Sequence, residues 1–132
     1  MPGPKQKVVA FNRTRHVFLA TDLTVADTHW RRLLGLIGTP TEQFGPGRGL
    51  WIVPCRGIHT LAMRYPIDAL YLNRDQIVVH LVEGLRPWRF AALRMEAATV
   101  LEVPANTLRG TGTSLGDEVE IAAHPAKEAE PA

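Results

Sequence analysis

Apolar and polar residues alternate with a period of two along several short runs of the chain, and Gly, Pro and Asn separate the runs. This pattern predicts strands joined by turns. Residues 8–11 and 16–20 read as the first two strands, joined by a turn around Asn12, Arg13 and Thr14, with Val17 and Leu19 facing opposite to Phe18 and Ala20. A helical period follows: Trp30, Leu33, Leu34 and Ile37 recur at helical spacing, and Gly38-Thr39-Pro40 ends the run. Thr24 is placed to cap this helix, and Asp27 falls where an acid complements the helix dipole. Residues 50–53, 58–63, 67–72 and 77–82 then read as strands, the last two joined by a turn at Asn73-Arg74-Asp75. Several are apolar on both faces, as strands covered on both sides are. Residues 98–103 form a further strand and 104–110 a turn or short helical segment. Glu118-Val119-Glu120-Ile121 is a final strand with one face to the core and one to water. The expected architecture is mainly β: a compact β-sandwich or partly open β-barrel with one principal α-helix near the N-terminal third.

No linker divides the chain, so residues 7–122 are expected to form a single β-rich domain. The Ala, Pro, Lys and Glu of residues 123–132 cannot bury enough surface to order, and residues 1–6 are expected to fray likewise. With 132 residues, 45% of them hydrophobic, the chain can bury roughly two thirds of the surface its unfolded form exposes and needs no disulfide or metal staple. Its one cysteine cannot form an internal bridge, and no apolar run follows residues 2–7, so a cytoplasmic setting is expected. Nothing approaches the roughly 20 apolar residues of a membrane-spanning helix, and no membrane partner is expected. A formal charge of +2 does not by itself imply a polyanionic partner. Arginine nevertheless supplies nearly all the positive charge, and its planar fork suits carboxylate or phosphate better than the lysine ammonium does.

Several short motifs, in order, carry a resemblance. His59-Thr60, Met63-Arg64, Pro66-Ile67-Asp68, Tyr71-Leu72, the stretch Val100-Leu101-Glu102-Val103-Pro104-Ala105, and Gly116-Asp117 resemble the domain-of-unknown-function family 192. The resemblance runs from about Thr24 to Ile121 and implies a compact, mainly β domain with little helix, of bacterial or archaeal origin, with no established activity. The chain departs from the family pattern at Ala62, where an aromatic residue commonly precedes the methionine, at Asn73, where Asp is usual, and at Asn106, where Gly is usual. Asn tolerates the left-handed conformation better than most residues. Many family members carry an export signal, and this chain shows none.

Candidate chemistry concentrates in residues 55–68, where Cys55, Arg56, His59, Met63, Arg64 and Asp68 fall within one run. Cys55 is a candidate reactive thiol, since Arg56, His59 and Arg64 offer a base and positive surroundings; the plainer alternative is a packed residue ending a strand. The spacing Cys55-x3-His59-x3-Met63 offers copper a thiolate, an imidazole and a thioether, with His16 or His29 needed as a further ligand. If residues 58–63 form a continuous strand, however, His59, Leu61 and Met63 share one face and pack as core, and neither a metal nor another cofactor is expected. Asp68 is expected to be partly buried, with Arg64 as its partner in a structural pair or a ligand site. Glu102 reads as an exposed strand residue, and His80 as a hydrogen-bonded histidine. Arg86, Trp88 and Arg89 interleave guanidinium groups with an aromatic ring. Such a loop can stack on bases, yet so few arginines in a nearly neutral chain make a faint nucleic-acid footprint, and nucleic acid is not the expected partner.

The leading expectation is a non-catalytic binding or accessory domain presenting Arg56, His59, Arg64, Asp68, Arg86, Trp88 and Arg89 to a small anionic ligand or an acidic protein segment. A small enzyme using the Cys, His, Arg and Asp cluster is the alternative, and a copper electron-transfer protein a further one.

Overall fold

The computed structural model describes residues 6–28, 32 and 35–125. It contains seven strands: β1 (Gln6–Asn12), β2 (Val17–Ala26), β3 (Arg48–Ile52), β4 (Ile67–Leu72), β5 (Val78–Leu85), β6 (Thr99–Pro104) and β7 (Val119–Pro125). A 3-10 turn spans Thr41–Gln43, and a short helix, α1, spans Thr107–Thr111. All strands join one mainly antiparallel sheet in the order β5-β4-β6-β3-β2-β1-β7, and β2 with β3 is its parallel pair. The sheet does not close into a barrel. Its edges meet at an isolated bridge between Ile77 and Glu118, flanked by bonds from Val78 N–H to the Asp117 carbonyl (2.9 Å) and from Val119 N–H to the Gln76 carbonyl (2.8 Å).

The predicted alternations set the sheet's two faces. Leu70, Leu72, Leu101, Val103 and Val119 pack with Leu19 and Leu23 on one side. Ile67, Ala69, Tyr71 and Val100 pack on the other against Leu36, Phe44, Ile58, Met63 and Tyr65 from the connecting segments. Strand β4 is buried at every position, as its doubly apolar pattern implies. At the start of β7, Val119 is buried while Glu120 and the preceding Glu118 lie exposed. Pairing of Ala123 with Val8 and of Pro125 with Gln6 carries the sheet past Ile121, where the composition changes. The predicted turn at Asn73 is built by its own side chain, whose Oδ1 accepts from Asp75 N–H (2.9 Å) and Ile77 N–H (3.0 Å). Asn106 has φ of 77°, the left-handed conformation expected where Gly is usual.

Two expectations are corrected. Thr24 caps no helix: β2 runs through it to Ala26, and Thr24 pairs with Leu50. Arg32 is helical, its N–H bonded to the Thr28 carbonyl at 2.9 Å, while Trp30, Leu33 and Leu34 of the predicted helix lie outside the described residues. Residues 58–63 are not a strand. Ile58, Thr60 and Met63 are buried, a spacing that breaks the period of two, and Ala62 turns the chain with φ of 65°. The backbone bonds of this segment go to residues 88–91 instead of the sheet: Trp88 N–H to the Thr60 carbonyl (2.9 Å), Thr60 N–H to Arg89 (2.8 Å) and Ala91 N–H to Ile58 (2.9 Å).

Candidate functional site

Strand β6 lies between β4 and β3 and has side chains packed over both of its faces, so Glu102 is buried and not exposed as its sequence context suggests. It is flanked by Leu50 and Ala69 and shares the face of Val100. Its Oε1 has no hydrogen-bond partner among the described residues, and burial raises its pKa to about 8. Glu102 borders a cavity of about 50 Å³ whose other walls include Arg32, Leu36, Cys55, His59 and Met63. The tertiary fold thus joins the Cys55, His59 and Met63 spacing to an acid far along the chain. The sequence holds one signal for this: an acid inside an otherwise apolar run, in a strand that the fold makes central.

Cys55 Sγ donates to the Gly57 carbonyl at 3.0 Å. Burial raises its pKa and the Glu102 carboxyl adds to the effect, outweighing the bond to Gly57 and the charge of Arg32. Such surroundings disfavour the thiolate. His59 Nδ1 accepts the Leu61 N–H (3.2 Å), so that lone pair is engaged. Among the described residues no three of His, Cys, Asp or Glu gather closely enough to hold a metal, and His16 stands exposed in the turn between β1 and β2. His29 lies outside the described residues.

Asp68 is separate from this cavity. Its Oδ1 accepts Gly84 N–H at 2.8 Å, and its Oδ2 accepts Leu108 N–H at 3.0 Å. The carboxylate therefore ties β4 to edge strand β5 and supplies the start of α1 with the acceptor that Asn106, which makes no side-chain cap, does not. Arg64 is exposed and forms no ion pair with Asp68, so the expected pair is absent; the buried acid is satisfied by backbone donors. Arg64 instead borders an outer hollow of about 350 Å³ that shares Leu36 and Met63 with the inner cavity.

A second surface lies beside the His59 segment. Arg86, Trp88, Arg89, Phe90, Leu93 and Met95 are exposed along one stretch, and the four apolar side chains are 63–74% accessible. Buried Thr60 fixes this ridge: its Oγ1 accepts Arg89 N–H (3.0 Å) and donates to the Arg86 carbonyl. Tyr71 Oη donates to the Ala92 carbonyl at 2.8 Å, and Arg94 N–H bonds the Arg56 carbonyl at 2.9 Å. Arg56 is exposed, with its Nε bonded to the Ala97 carbonyl (3.2 Å). The structure thus sets Arg56 and His59 beside the ridge bearing Arg86, Trp88 and Arg89, and leaves Asp68 apart. Sequence reasoning assigned Thr60 and Arg32 no role at a site, and it read Glu102 as an exposed strand residue.

An open, mainly β sheet, capped on one face by loops that enclose an acid-bearing cavity and carry an aromatic and arginine ridge, defines the class of this protein. Residues 9–121 match the DUF192 family, described as Uncharacterized ACR, COG1430. The chain belongs to that family. A UPF0127 protein of Thermococcus sibiricus is 28% identical over 114 residues, covering 83% of this chain and 71% of the relative. A UPF0127 protein of Pyrococcus furiosus is 27% identical over 114 residues, covering 83% and 94%. A crystal structure of a protein of unknown function from Novosphingobium aromaticivorans shares the fold with a TM-score of 0.72 at 18% identity, over 86% of this chain and 82% of that one. The family is uncharacterised, and these likenesses carry no catalytic role. No helix among the described residues is long and apolar enough to cross a membrane.

Proposed function

We propose that this domain is a non-catalytic binding module that docks an acidic segment of a protein partner along the ridge from Arg86 to Met95. The observation that carries this reading is the exposure of Trp88, Phe90, Leu93 and Met95 on one segment that buried Thr60 holds in place. Contiguous apolar side chains left in water mark an interaction surface, and Trp and Arg are among the residues enriched at interface hot spots. Trp88 has φ of 63°, an uncommon conformation for a bulky residue, and such strain clusters at functional positions. Arg86 and Arg89 supply positive charge between the apolar side chains. Glu83 and Glu96 lie exposed at either end of the ridge, which favours a short acidic segment over a long polyanion such as nucleic acid. The scaffold fits a partly open barrel better than a sandwich, because the two sheet edges approach each other at Ile77 and Glu118. A cytoplasmic setting agrees with the single unpaired thiol.

The test is fluorescence anisotropy with a labelled peptide alternating Glu and Leu, with a single-stranded oligonucleotide and anionic vesicles as competing probes. The peptide should bind saturably, lose affinity as salt rises, and weaken at least about tenfold in Trp88→Ala and in the Arg86→Ala, Arg89→Ala double variant. Preference for the oligonucleotide or the vesicles, or peptide binding indifferent to all these substitutions, overturns the reading.

A further inference from the structure

The cavity at Glu102 meets the ridge segment only through the shared wall at residues 57–59 and carries its own ligand chemistry. A fully buried carboxyl with an unpartnered oxygen retains hydrogen-bonding capacity that the protein leaves unused, and burying such a group without a partner is unfavourable. The cavity is small, about 50 Å³, but it adjoins wider hollows. One of about 350 Å³ shares Leu36 and Met63 with it, and one of about 180 Å³ shares Gly35 and Leu36. Leu36 thus stands between all three, in a segment flanked by Gly35 and Gly38, both at positive φ with open space around them.

The charges around this path are unequal. Arg32 borders the inner cavity and Arg64 the outer hollow, and neither forms an ion pair among the described residues. Among the described residues, the Arg32 guanidinium makes long contacts, 3.4 Å to the Thr28 carbonyl and 3.3 Å to the Pro54 carbonyl. Glu102 is the acid lining the inner cavity. Among the described residues, the ionisable groups facing it are Arg32, Cys55 and His59 across the cavity, with Tyr65 and Tyr71 beside it on the same sheet face. With a pKa of about 8, Glu102 is an O–H donor at neutral pH and leaves the path positive overall. A metal is disfavoured, since the Cys55 thiol and the His59 Nδ1 lone pair are already engaged. An ammonium ligand would face Arg32 and Arg64 without a compensating anion.

We propose that the Glu102 cavity and the hollow beside it form a site for a short aliphatic monocarboxylate, with its head between Arg32 and Glu102 and its chain along Leu36 and Met63. The guanidinium supplies a charge-assisted bond to one carboxylate oxygen, and the Glu102 hydroxyl donates to the other. Displacement of Leu36 between its glycines opens the inner cavity toward the outer hollow, which is of the size small-molecule sites require, about 300 Å³ or more.

Isothermal titration of the full chain with hexanoate tests this, with hexylamine as the opposite-charge control. Hexanoate should bind saturably at neutral pH, weaken at least about tenfold in Arg32→Gln, and release as pH passes about 8, where Glu102 ionises. Glu102→Gln keeps a donor and should bind without that pH-dependent loss. If Glu102→Gln does not fold, the half-buried Arg32→Gln site and the wild-type pH profile decide the matter. Absence of saturable hexanoate binding, binding equal in wild type and Arg32→Gln, or a preference for hexylamine that grows with pH each overturns the proposal. Failure here leaves the ridge peptide assay untouched, because Arg32 and Glu102 are not among the ridge residues.

Discussion

Asp68 and Glu102 lie on neighbouring strands of one sheet and are almost equally buried, at 1% and 2% exposure, yet they are built in opposite ways. Asp68 meets backbone N–H donors from both β5 and the first turn of α1, so its charge holds separate elements together. Glu102 has an oxygen without a partner among the described residues and faces a cavity. Burial alone therefore does not distinguish a structural acid from a functional one; the donors around it do.

The pH dependence of stability gives the largest expected contrast. Glu102 has its folded-state pKa raised from 4.5 to about 8. Its contribution to stability is complete below about pH 4.5 and is lost as pH rises to about 8, then levels off. Urea unfolding of wild type against Glu102→Gln across that window should show a relative loss on the order of a few kcal/mol for wild type. A difference independent of pH would mean that Glu102 is not held in the environment described.

Asp68→Ala should destabilise by about 3 kcal/mol, because it removes both acceptors and strands two backbone donors. Thermal unfolding measures this, and a near-neutral result would place those donors against water. Thr60→Val keeps the shape but removes the hydroxyl that holds the Arg86 and Arg89 backbone. A loss of about 1 to 2 kcal/mol is expected, together with faster amide exchange in residues 86–91 and an otherwise unchanged sheet. Uniform acceleration across the sheet would show that Thr60 supports the whole fold. The smallest effect belongs to Arg64 and Asp68. Since they do not touch, the double-mutant cycle of Arg64→Ala and Asp68→Ala should give coupling below about 0.5 kcal/mol. A larger value would bring Arg64 back to the Asp68 carboxylate.

Local patterns made much of the sheet legible. The doubly apolar pattern of β4, the alternation around β7 and the Asn73 turn appear where the sequence puts them, because a strand's faces and a tight turn are fixed by neighbours a few residues away. Residues 58–63 misled because their apolar content suits a strand, while their backbone partners sit some thirty residues on, at residues 88–91. The candidate site was legible in part. Cys55, His59 and Met63, close in sequence, border one cavity, and Arg56 lies beside the Trp88 segment, whereas Asp68 belongs to neither.

The sequence by itself determined a mainly β domain of this family, its turns, and which strands are apolar on both faces, since each follows from residue type and short-range spacing. Only the tertiary structure decided what the acids do. Strand order placed Glu102 between β3 and β4, where no donor among the described residues reaches Oε1, and brought Gly84 and Leu108 to Asp68. Solvation and hydrogen bonding depend on which distant segments arrive beside a side chain, and no local pattern encodes that arrival.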